Sequence, residues 1–167
     1  MSDPKGLFGK YRGTVSNNVD PLCIGRIQAV VPDATGLVPT TWAMPCFPVT
    51  GMFMVPSIGA GVWVEFERGD VGYPIWTGCF YGSSAEVPAL AQKTPPGVRA
   101  VTVQLSRKVG LTVTDLPGPQ GGITLQSASG ATVVVSDTGI VLSSGQGATI
   151  TLTGPAVDVN NGALSVV

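Results

Sequence analysis

The last third of the sequence is a run of near-repeats, GITLQSAS, GATVVVSDT, GIVLSSGQ, GATITLT, GPAVDVNN and GALSVV, each opened by a glycine. The leading glycines are Gly122, Gly130, Gly139, Gly147, Gly154 and Gly162, a period of about eight residues, and an internal period constrains architecture before any single residue does. Each unit carries two apolar residues at i and i+2: Ile123/Leu125, Val133/Val135, Ile140/Leu142, Ile150/Leu152, Val157/Val159 and Leu164/Val166. Side chains alternate along a strand, so every rung has one apolar face. One such strip has nothing opposite it to exclude water and does not fold alone. Three copies wound round one axis bring their apolar faces together, and each strand edge then pairs with a neighbouring chain. The repeat predicts an obligate homotrimer, an intertwined β-prism with its core at the first five of these pairs, Ile123 to Val159. A single-chain β-solenoid and the last strands of a sandwich are the alternatives. A solenoid rung normally takes about twenty residues or more, which this period does not reach.

Composition fits a subunit whose surface is largely covered: charged residues are 11% and hydrophobic residues 44% of the chain. All nine Lys and Arg lie at or before Lys108, and residues 109–167 hold only Asp115, Asp137 and Asp158 as charges. A net charge of −1 offers no footprint for phosphate neutralisation, so no nucleic-acid partner is expected. The chain has no histidine, which removes Ser-His-Asp chemistry, a thiol–imidazole pair and imidazole metal ligation together. No catalytic, metal or cofactor site is expected. Cys23, Cys46 and Cys79 each sit among apolar residues, in PLCIG, MPCFP and TGCFY, and are expected to be reduced, buried, small hydrophobes. The polar start MSDPKGLFGKYRG is not a signal peptide and no apolar run spans a bilayer, so synthesis in the cytoplasm is expected.

Upstream of the repeat the reading is an arm at 1–10, a barrel domain at 11–82, a Pro- and Ala-rich connector at 83–97 and the spike at 98–167. YRGTVSNN, GRIQAVVP, TTWAMPCFP, GVWVEFE and PIWTGCFYG are five extended segments punctuated by turn residues. Val62, Val64 and Phe66 alternate with Trp63, Glu65 and Glu67, the pattern of a half-buried antiparallel strand. Five strands in so short a span fit a small closed barrel of the OB type. The fold class is all-β. Gly59 and Gly61 read as positive-φ turn residues, and Asp70 reads as a turn cap. Glu65 and Glu67 share one face at i and i+2 and are the only candidate acid pair; both are expected to face solvent. Trp42, Trp63 and Trp76 are expected to pack in the core or against another subunit.

GRIQAVVP at 25–32, WAMP at 42–45 and VPSIGAGVWVEFERGDVGYPIWTGCFYG at 55–82 resemble the OB-fold of the phage baseplate assembly protein V family, shared with the valine-glycine repeat spikes of type VI secretion. The resemblance rests on Gly25, Arg26, Trp42, Ala43, Pro56, Gly59, Val62, Val64, Phe66, Gly69, Asp70, Pro74 and Gly78. The C-terminal repeat is similar to the same family's triple-stranded β-helix. The resemblance implies a homotrimeric central spike of a contractile tail or injection system, non-enzymatic, assembled into a virion baseplate or injection particle. Its barrel would dock to the baseplate hub, and its needle would touch a membrane only during penetration. A small tip protein of the PAAR type would sit on Leu164, Val166 and Val167. The histidine-bound metal apex of some relatives has no ligands here. A nucleic-acid-binding OB protein with a multimerising tail is the alternative.

Overall fold

A computed structural model describes residues 6–166, which divide after Glu86 into two compact units. The first unit holds β1 (Tyr11–Asn17), β2 (Gln28–Val30), β3 (Met44–Pro45), β4 (Gly61–Phe66) and β5 (Pro74–Phe80). Their order is β2-β1-β4-β5-β3. Bridges between Ile27 and Ala43 and between Val30 and Pro39 join the two edges, so the sheet curls into a five-stranded OB-type barrel. The alternation in β4 sends Val62, Val64 and Phe66 inward, where they meet Val15, Ile27, Ala29, Val31, Ala43 and Trp76. Gly59 turns the chain at φ +86, as expected. Gly61 does not: it begins β4 without a positive φ, and a Cβ there would stand 2.9 Å from the Phe80 carbonyl oxygen. Close approach of β5, not turn geometry, requires that glycine.

The second unit is one sheet. β6 (Ala100–Gln104), β7 (Gly110–Thr114), β8 (Gly122–Gln126), β9 (Thr132–Ser136), β10 (Gly139–Ser143), β11 (Thr149–Thr153), β12 (Ala156–Val159) and β13 (Leu164–Val166) follow one another in chain order. Every neighbouring pair is antiparallel. The expectation that strand edges pair with neighbouring chains is corrected here. Short turns return each strand against its predecessor, so β7 to β12 have both edges occupied within the chain. Two of the leading glycines admit close approach: at Gly122, φ +75, and Gly139, φ +143, a Cβ would clash with the Val135 and Leu152 carbonyl oxygens. Part of the 83–97 segment folds onto this unit. Leu90 is buried, and its N–H donates to Gln104 Oε1 at 2.9 Å.

Candidate assembly surfaces

The register of the second unit lines its apolar residues into two unbroken rows. One runs Val101, Val113, Ile123, Val135, Ile140, Leu152, Val157, Val166, each opposite the next. The other runs Val103, Leu111, Leu125, Val133, Leu142, Ile150, Val159, Leu164. Residues two apart on a strand share a face, so both rows lie on one side of the sheet. Between them in sequence, and on the other side, run Thr102, Thr112, Thr124, Val134, Val141, Thr151, Asp158 and Ser165. At one end that second face is partly covered by Leu90, Lys93 and Leu116.

The apolar face is open. Ile150 is 39% and Val101 64% exposed, and a groove of about 930 Å³ runs along the row from Val103 to Val159. A contiguous uncovered apolar surface of this length marks an association site. All ten expected core residues from Ile123 to Val159 fall in these rows. Four members were missed: Val101, Val103, Leu111 and Val113. The same i, i+2 pairs in AVTVQ and GLTVT were their signal. Leu164 and Val166, expected to form a separate tip surface, take register positions that continue the two rows opposite Val159 and Val157. Val167 lies outside the described residues.

In the barrel unit, Arg26 and Asp20 form a clamp. Arg26 Nε and Nη2 donate to Asp20 Oδ1 at 2.9 and 2.6 Å, and the guanidinium lies 5.3 Å from the centre of the half-buried Trp42 ring. Asp20 Oδ1 also accepts from the Leu22 N–H, while Oδ2 accepts from those of Ile24 and Arg26. The guanidinium, helped by these N–H groups and opposed by desolvation, holds the Asp20 carboxyl well below the usual carboxylate range. Gly25, φ +85, has Phe47 and Phe53 against it, and its carbonyl accepts from Trp76 Nε1 at 3.0 Å. Pro56 and Pro74 are buried. The Gly59 N–H donates to the Val15 carbonyl, and Phe66 meets Tyr11 edge-on. Gly69, φ +78, sits under the backbone of Gly6 and Leu7. Asp70 Oδ1 accepts from the Gly72 N–H at 2.8 Å, and Gly78 lies opposite Trp63 at a register shift.

Glu65 and Glu67 do not form an acid pair. β4 ends at Phe66, and Glu67 enters a turn in which Arg68 stands at φ 54. Glu65 instead accepts from Lys10 Nζ at 2.6 Å. Only Trp76 of the three tryptophans is buried; Trp63 packs on Phe80, and Arg12 lies over both rings. The cysteine expectation is corrected: Cys23, Cys46 and Cys79 are all exposed, Cys23 between the exposed Leu22 and Ile24, and Cys46 and Cys79 beside the half-buried Phe47 and Phe80. Packing around its sulfur still pushes the Cys79 thiol up, away from thiolate reactivity.

Residues 11–81 match the Type VI secretion system/phage-baseplate injector OB domain. Residues 100–165 match the Phage baseplate V C-terminal trimerisation domain. No curated protein matches the chain. The two matched domains are structural baseplate modules, and the second coincides with the sheet that carries the open apolar rows. Together they take in most of the sequence, in the order of the two folded units: the chain belongs to the phage baseplate V family, structural proteins of the tail baseplate that trimerise through the C-terminal domain.

Proposed function

We propose that the chain is the central spike of a contractile phage tail or contractile injection system, a homotrimer in which three sheets close their apolar faces round a common axis. The observation that carries this reading is the pair of unbroken apolar rows across eight strands, none of whose described side chains is buried in one chain. Burying one such side chain contributes about 1.5–3 kcal/mol, and association must overcome about 4–15 kcal/mol of lost freedom. The row side chains are already partly covered in one chain, so each adds only a fraction of that figure, and it is the number of positions in two rows that offsets the cost. In this arrangement the ladders stay within chains and the faces meet between chains. The prism is a stiff rod that passes the thrust of contraction to the envelope, with the barrel end docked on the hub. Leu164, Val166 and Val167 offer no side-chain charge, so the tip protein seated there makes apolar and main-chain contacts.

Native mass spectrometry of the full chain at micromolar concentration tests the reading: three chains are expected, and a stable folded monomer would refute it. Co-purification with hub and PAAR-type tip proteins of the same particle tests the two docking ends, with Val167→Asp expected to lose only the tip. Salt-dependent binding to single-stranded DNA would support the nucleic-acid alternative instead.

A further inference from the structure

The C-terminal sheet has two long margins, and its charges are divided between them by sign. Strand direction alternates down the meander, so successive turns fall on opposite margins. The first margin holds the connections at 105–109, 127–131, 144–148 and 160–163, and the second those at 115–121, 137–138 and 154–155. Arg107 and Lys108, both exposed, are the charges of the first margin. The carboxylates Asp115 and Asp137 lie on the second, with Arg99 at the start of β6.

β7 runs from one margin to the other. Lys108 stands just before it and Asp115 directly after it. Along an extended strand they lie about 20 Å apart, beyond the combined reach of both side chains, so they do not meet within one chain. Both ends are fixed. The Leu105 N–H donates to the Val109 carbonyl and the Asp115 N–H to the Arg99 carbonyl, each at 3.0 Å, which carries the β6–β7 ladder out to both margins. Asp137 accepts from the Gly118 N–H at 3.0 and 3.1 Å and so holds the loop that Asp115 begins. Arg99 Nη2 reaches Asp115 Oδ2 at 2.8 Å, with the two side chains 90% and 60% exposed. A carboxylate accepts about four hydrogen bonds, so Asp115 has capacity for a second cation. The side chains of Arg107 and Lys108 have no partner among the described residues.

Three one-sided sheets round a three-fold axis meet margin to margin, because a cyclic contact joins one patch to a different patch on the next copy. The first margin of each copy then lies along the second margin of its neighbour. Copies that stand level set β7 beside β7 and Lys108 across from Asp115. The apolar rows do not select this alignment, since a shift by one strand exchanges one Val, Ile or Leu for another. Charge does select it. A shift of one strand, about 4.8 Å, brings Lys108 to the level of Arg99 in one direction and of the uncharged Gly121 and Gly122 in the other. A few polar contacts are enough to fix register along an otherwise uniform apolar seam.

From these observations we infer that Lys108 of each copy pairs with Asp115 of the next, and that the three contacts hold the copies level along the axis. The inference rests on the trimeric reading above.

A zero-length carbodiimide, which joins an amine to a carboxylate in contact, tests it on the full-length trimer with peptide mass spectrometry. A Lys108–Asp115 link is expected, and at that separation it joins two copies. The Lys10–Glu65 pair, 2.6 Å apart in one chain, is the internal control. Asp115→Lys is expected to make the trimer dissociate in urea about tenfold faster at low salt, with the difference lost at high salt. Adding Lys108→Asp to the same chain should restore the wild-type rate, a rescue that only contact between copies explains. A trimer that yields the control link without the Lys108–Asp115 link overturns the pairing and leaves the trimeric reading standing, as does a failed rescue. A monomer by native mass spectrometry overturns both.

Discussion

The two units use the same alternation and reach opposite outcomes. In the barrel the inward residues are closed over: Val15 of β1, Ile27, Ala29 and Val31 in and beside β2, and Val62 and Val64 of β4 are buried within one chain. In the second unit Leu90, beside the sheet, is the only buried hydrophobic side chain among the described residues, and none of the described Val, Ile and Leu of the two rows is buried. Strand order accounts for the difference. The barrel places β4 between β1 and β5 and bridges its edges, so the sheet wraps its own core. The meander keeps chain order and never folds back over its face. One unit supplies its own partner surface; the other requires copies of itself.

The change that separates the units most sharply is Ile150→Asp. Three carboxylates would be forced together on the axis, opposed by desolvation and mutual repulsion. We expect complete loss of the trimer by native mass spectrometry, while the barrel keeps its own cooperative unfolding transition. A trimer that survives this substitution would place the copy–copy contact elsewhere.

The converse change is Trp76→Ala, which removes a buried indole and its hydrogen bond to the Gly25 carbonyl. A cost of about 3–5 kcal/mol to the barrel is expected, read as a lowered barrel transition in denaturant, with the trimer retained. Loss of the trimer in this variant would show that the sheet depends on the barrel.

How much of this was legible in the sequence follows the same division. Ile123 to Val159 could be assigned to one face because glycine spacing and i, i+2 pairs are local signals. Val101 to Val113 carry the same pairs but stand outside the eight-residue period, and only the register through β7 and β8 joins them to the rows. Pairing within the chain rather than between chains was not legible, since alternation fixes which face is apolar and not which strand lies alongside. In the barrel, Arg26 stood out by resemblance, but its partner Asp20 did not, because a lone loop carboxylate acquires meaning only through the N–H groups folded around it. The cysteines were misread because an apolar neighbour in sequence does not fix a residue's own burial: Leu22 and Ile24 beside Cys23 are exposed themselves, and Cys46 and Cys79 are exposed beside half-buried Phe47 and Phe80.

A smaller effect is expected from acid. The Asp20 carboxyl is held below its ordinary value, so its contribution is present in full above the ordinary carboxylate pKa of about 4 and is lost as pH falls further. The barrel transition of wild type should therefore drop below pH about 4, while Asp20→Asn should start lower and show a shallower acid loss. Thermal unfolding from pH 7 downward measures both; parallel curves would show that the clamp does not stabilise the barrel.

The smallest effect tests whether the sheet has one working face. Thr151 lies between Ile150 and Leu152 on β11, but its side chain belongs to the other face, with Val141 on one side and Asp158 on the other. A lysine there is solvated and stands across from a carboxylate, a cross-strand pairing worth about 0.2–1 kcal/mol in its favour. Surface changes of this kind usually stay within about 0.5 kcal/mol either way. Thr151→Lys should therefore keep the trimer and its unfolding midpoint, whereas Ile150→Lys, one residue earlier, should abolish it. If both lysines disrupt assembly, both faces of the sheet are covered in the trimer, and a prism of three one-sided sheets is the wrong packing for these strands.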